Sequence, residues 1–152
     1  MIEFCELFKQ SKGKPIQYKD KTLVAWDQIQ LPSKITRVKY KIVSTDSEWN
    51  QGIAFRTKGS LEFDTGQKYK KGWMVLMENL VDWENEFTCY SKSGLLDVKN
   101  VWETDHCPVE SWINGAAMWI EEIPNGRRYH CNDGHFDDDL NDLIFELTIK
   151  TE

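Results

Sequence analysis

Residues 35–43, ITRVKYKIV, decide the fold. Successive side chains of a strand point to opposite faces. Val38, Tyr40 and Ile42 therefore fall on one face, and Arg37, Lys39 and Lys41 on the other. This is the pattern of a strand with one side in a core and one in water. The last run, LIFELTIK, repeats it: Leu143, Phe145, Leu147 and Ile149 oppose Glu146, Thr148 and Lys150. Working outward, residues 2–8, 22–31, 52–57, 60–64, 73–81, 86–91, 95–102, 116–123 and 127–131 read as further strands. Turn signals separate them at Lys58-Gly59-Ser60, Thr65-Gly66, Ser93-Gly94 and Pro124-Asn125-Gly126. Asn125-Gly126 predicts a type I′ hairpin turn, whose two central residues both need positive φ. No segment sustains apolar residues at helical spacing. The nearest, 3–9, is too short to stand as a helix alone. The expectation is an all-β fold, an antiparallel β-sandwich of jelly-roll-like form with about 8–10 strands.

The length of 152 residues suits one domain spanning 1–152. Such a chain buries about 68–70% of its unfolded surface, so it needs no metal or disulfide merely to fold. The net charge of −6 argues against nucleic acid as a partner. The charge is uneven: residues 1–71 carry +6 and residues 72–152 carry −12. No run approaches the roughly 20 apolar residues of a membrane-spanning helix. The N-terminus MIEFCELFKQSKGK has no basic region followed by an apolar one. It does not read as a secretory signal, so the default location is the cytoplasm, with signal-less export left open. Cys5, Cys89, Cys107 and Cys131 form no CxxC motif, which excludes a zinc ribbon and a thioredoxin site.

Residues 132–142 read NDGHFDDDLND. Asp137, Asp139 and Asn141 alternate, Asp142 follows, and Asp133 lies upstream. Alternating oxygen ligands can wrap a hard cation such as calcium, and these five are the candidate metal ligands. The loop is not an EF-hand: counting from Asp137, position six is Asp142 rather than Gly, and position twelve is Thr148 rather than Glu. The string D-x-D-x-N-D-L-x-F over residues 137–145 resembles the acidic pre-strand loops of some bacterial extracellular β-sandwich domains. That resemblance implies calcium as the bound cofactor. The competing readings are a solvated turn, since Asp and Asn bond nearby backbone, and an acidic docking surface.

Seven Trp are many for a domain of this size. Trp83, Trp102 and Trp112 sit in the polar stretches DWENE, VWETD and ESWING, and with Tyr129 they are the candidate ligand-binding aromatics. An indole beside carboxylates and amides suits a sugar ring. Each indole can equally plug the end of the sandwich, or serve a protein interface.

Catalytic signals are sparse. His106, His130 and His135 lie near Cys107 and Cys131, but adjacent strand residues face opposite ways, so His130 and Cys131 cannot easily share a zinc ion. Asp82, Glu84 and Glu86 alternate and admit a glycosidase reading, although the order differs from the usual one. No phosphate loop, GxSxG or HExxH is present. The expected function is therefore a non-catalytic binding module, calcium-dependent, for a glycan or lipid headgroup. The alternative is a small acidic cytoplasmic protein that binds a protein partner, as an inhibitor or toxin-immunity protein does. A glycoside hydrolase and a membrane-active β-toxin are remote alternatives.

Overall fold

The computed structural model describes residues 4–104, 116–134 and 139–150. One helix, α1 (Phe4–Gln10), precedes eleven strands among the described residues. These are β1 (Ile16–Tyr18), β2 (Lys21–Val24), β3 (Asp27–Gln30), β4 (Ile35–Thr45), β5 (Asn50–Phe63), β6 (Lys68–Tyr69), β7 (Met74–Met77), β8 (Glu84–Glu103), β9 (Ala117–Ile123), β10 (Gly126–Asn132) and β11 (Leu143–Lys150). All pair antiparallel, in the order β1-β2-β9-β10-β11-β4-β8-β5-β6, with β3 also on β8 and β7 also on β5.

The all-β antiparallel expectation holds, and the two layers are formed by one continuous sheet folded over. Three strands separate β3 from β10 in the sheet order. Yet Asp27 of β3 accepts hydrogen bonds from Arg127 at 2.7 Å and from the Tyr129 hydroxyl at 2.6 Å, both on β10. The open sheet therefore folds over so that β3 meets β10. Its inner face forms one apolar cluster that includes Val38, Tyr40, Phe55, Phe87, Val98, Tyr129 and Phe145. Phe87 touches Phe55 and Phe63, at ring separations of 5.1 and 5.8 Å.

The bend lies where the sequence shows turn signals. Lys58-Gly59-Ser60 and Ser93-Gly94 do not end strands; both are interruptions inside the long strands β5 and β8. The register shifts between Thr57 and Gly59 opposite Ser91. Such bulges bend a sheet without breaking it. Gly59 has φ +151°, and a β-carbon there would lie 1.8 Å from the Tyr90 carbonyl oxygen. The Ser91 hydroxyl accepts the amide N–H groups of Gly94 and Leu95 at 3.0 and 3.2 Å, which satisfies the backbone inside the bulge.

Two local expectations need correction. The segment near the N-terminus is a helix, not a strand over 2–8. Phe4 and Phe8, one turn apart, are buried against Leu23, Ala117 and Leu140. Tertiary burial thus stabilises a helix of seven residues that would not persist alone. The β9–β10 turn is not type I′. Ile123 pairs with Gly126, so the central residues are Pro124 and Asn125. Proline fixes φ near −65° and Asn125 has φ +62°, which is the sign pattern of a type II turn. Gly126 is required for another reason: a β-carbon there would lie 1.8 Å from the Leu147 carbonyl oxygen of β11.

Candidate functional site

The acidic loop connects β10 to β11, and its ends are anchored from within. Asp133 is fully buried. Its Oδ2 accepts hydrogen bonds from the Ser47 hydroxyl at 2.6 Å and the Gln51 amide at 3.0 Å. The buried Asp142 accepts the Asp133 backbone N–H at 3.0 Å. Next to Asp133, Gly134 lies against the indoles of Trp102 and Trp49; a β-carbon would come within 3.1 and 3.3 Å of them. Asn141 donates to Asp46 at 3.3 Å, while its own Oδ1 and the Oε1 of Gln51 are buried with no hydrogen-bond partner among the described residues. Asp139 is exposed and lines a different depression of about 230 Å³ with Trp119, His130 and Lys21. Asp137 lies outside the described residues. The described residues contain no group of three or more His, Cys, Asp or Glu placed to hold a metal.

The described aromatic candidates do not converge. Trp102 and Tyr129 are fully buried in the packing, so neither presents a face to a ligand in this conformation. Trp83 is 41% exposed and donates its indole N–H to the Glu78 carbonyl at 3.1 Å. Trp112 lies outside the described residues. In the depression beside Asp139, the Trp119 indole is stacked on His130 at 4.4 Å and faces the Lys21 ammonium at 5.2 Å. Cys131 is in the core while His130 bonds Glu121 at 3.1 Å, so this adjacent pair does point to opposite faces. His106, Cys107 and His135 lie outside the described residues.

Of the alternating acids 82–86, Glu84 and Glu86 are engaged in ion pairs. Glu84 meets Lys39 at 2.6 Å. Glu86 bonds Lys150 and meets Arg37 at 2.9 Å. These hydrogen bonds hold both carboxyls below the usual range, with Lys39 the main cause for Glu84 and Lys150, then Arg37, for Glu86. A general acid working near neutrality needs the opposite shift.

The feature that sequence reasoning missed is a cleft ringed by lysine. The bulge of β5, the Ser91 corner of β8 and the start of β4 border an open recess of about 420 Å³. Lys34, Lys68, Lys70 and Lys92 line it, with no carboxylate among the lining residues. None of the four forms an ion pair with another described residue. The Ser91 amide donates to the Lys34 carbonyl at 2.8 Å, tying the β3–β4 loop to the corner that carries Lys92. Between the lysines, Ile35 is 64% exposed and Tyr90 38% exposed. The same two side chains also border a longer groove of about 980 Å³ that contains Arg37, Glu86, Thr88 and Lys150. The run Lys-Tyr-Lys-Lys at 68–71 was the one visible signal. Lys34 and Lys92 join it only through strand register.

No helix among the described residues is long and apolar enough to cross a membrane. Comparison of the chain with protein-family models, with curated proteins and with solved structures returned no match.

Proposed function

We propose that this chain is a non-catalytic binding module whose ligand carries negative charge, as an acidic glycan or a lipid headgroup does. The observation that carries this reading is the cleft whose lining holds four lysines, none of them ion-paired among the described residues, and no carboxylate, placed around exposed Ile35 and Tyr90. Four ammonium groups held close together repel one another unless an anion or solvent intervenes. A phosphate, sulfate or carboxylate would relieve that repulsion, while Ile35 and Tyr90 supply apolar contact. The acidic remainder of the chain does not forbid this. Charges farther away than about 8–10 Å are largely screened at physiological salt.

The test is calorimetric titration with inositol hexakisphosphate, a compact polyanionic probe. The parent protein should bind, and binding should weaken steeply as salt rises. The double variant Lys68→Glu/Lys92→Glu should lose at least about tenfold in affinity, or roughly 1.4 kcal/mol. Unchanged affinity in the double variant would remove the cleft from the account.

A calcium-dependent loop is a second reading, favoured by one observation. Among the described residues, Gln51 Oε1, fully buried beside Asp133, has no donor, and Asn141 Oδ1 is likewise unpartnered. Amide and carboxylate oxygens are the donor set that calcium prefers. Against it, Asp133 Oδ2 and Asp142 Oδ2 already accept N–H or O–H bonds. A ligand that binds only the folded state raises the melting temperature by mass action. Millimolar calcium should therefore raise the melt over that in chelator, and Gln51→Leu should remove the rise. A melt indifferent to calcium would assign the loop to hydrogen bonding alone.

A further inference from the structure

The strand register places the lysine cleft at one end of a longer line of polar side chains. Lys150 pairs with Arg37, Arg37 with Thr88, Thr88 with Glu62, and Glu62 with Lys68. Directly paired residues of antiparallel strands share a face. One rung of the outer face therefore crosses β11, β4, β8, β5 and β6. Four inter-strand spacings make it about 19 Å long. The next rung contains Ile35, Tyr90 and Ser60. Ile35 and Tyr90 border both the lysine cleft and the adjoining groove, so the two recesses meet at the Tyr90 ring.

The two ends of this line differ chemically. The cleft end carries lysines that form no ion pair among the described residues, with Glu62 beside Lys68 in register. At the groove end the charges are balanced: Arg37 grips Asp64 through two bonds at 2.9 and 3.0 Å, and also meets Glu86, which in turn bonds Lys150. A charge-balanced, hydrogen-bonding surface suits hydroxyl groups rather than further anions. An exposed tyrosine between the two suits the apolar face of a sugar ring.

Building on the proposed function, we infer that the ligand is an anionic oligosaccharide lying across the strands. A sulfate or carboxylate substituent sits among Lys34, Lys68, Lys70 and Lys92. A ring stacks on Tyr90, and the following residues run along the groove past Thr88 toward Lys150. A lipid bilayer fits less well, because a flat anionic surface would also meet exposed Asp64, which Arg37 holds at the groove, and could not follow the recess. A chain ligand touches the line and little else.

The experiment is calorimetry with size-defined sulfated oligosaccharides from disaccharide to octasaccharide. Inositol hexakisphosphate, single-stranded DNA and vesicles of anionic phospholipid are run in parallel. Affinity should rise with chain length until the line is filled. Tyr90→Ala should lower octasaccharide affinity about tenfold, whereas Tyr90→Phe should retain it. Equal affinity for disaccharide and octasaccharide would overturn the extended ligand. So would vesicles or DNA binding with the sugars inert, although the anion-binding cleft would then stand. Failure of every probe, inositol hexakisphosphate included, would overturn both readings together.

Discussion

At Gly126 the chain leaves a turn and immediately enters a strand pressed against β11. The missing side chain is what allows that approach, since a β-carbon would stand 1.8 Å from the Leu147 carbonyl oxygen and 2.8 Å from its carbon. Backbone cannot yield as a side-chain tip can. Gly126→Ala should therefore separate β10 from β11 and cost about 3 kcal/mol or more, read by urea denaturation. A loss under about 1 kcal/mol would show that the two strands can part cheaply. The Asn125-Gly126 pair also shows what residue-level reading can achieve. It located the hairpin, because Asn and Gly tolerate positive φ. It assigned the wrong turn, because Pro124 had to occupy a central position and the reason for Gly126 lies in another strand. Gly59 teaches the same lesson: its role against Tyr90 is non-local and invisible in the local string Lys-Gly-Ser.

The elements gain their form from partners more than from their own propensities. β8 is one strand of 20 residues because its first half serves β4 and its second half serves β3, while β5 follows both. Read locally, Ser93-Gly94 looked like an end. The same principle makes α1 a helix. Phe4 is fully buried and meets the Tyr18 ring edge-on at 5.0 Å. Phe4→Ala should destabilise the protein by about 3–5 kcal/mol. It should also speed amide exchange in α1 well before the β4–β8 core opens. Exchange that stays uniform across both would mean the helix is not held by this contact. Period-two alternation was legible wherever one face is charged, as in β4 and β11. Strand register was not, and register is what brings Lys34 and Lys92 to Lys68 and Lys70.

At the scale of the whole molecule, buried ionisable groups set the response to alkali. Burial pushes the Lys99 ammonium down to about 8, helped by nearby Arg56. The unfolded chain takes up that proton at higher pH than the folded one, so this group makes stability rise with pH from about 8 to its ordinary 10.5. Burial pushes the Cys89 thiol from its ordinary 9.0 up to about 11 and raises Cys131 as well. Thiols that ionise earlier in the unfolded chain make stability fall as pH rises through 9 to 11. Tyr40, pushed by burial to about 12, adds to the fall above its ordinary 10.0. Above pH 9 the falling contributions of Cys89 and Cys131, joined above 10.0 by Tyr40, therefore meet the one rising contribution of Lys99. The melting temperature should hold or climb slightly from pH 8 to 9 and then drop, with Cys89→Ala reducing the drop. A melt that keeps rising to pH 10.5 would contradict this balance.

The account rests on the lysine cleft. Its most direct measurement is a titration of the backbone amide NMR spectrum with inositol hexakisphosphate. Shifts should concentrate at Lys34, Gly59, Ser60, Tyr90, Ser91 and Lys92, which surround the cleft from three separate segments. Shifts gathered instead around Asp133 and Asn141, or at Trp83, would place the binding surface elsewhere and contradict the central claim.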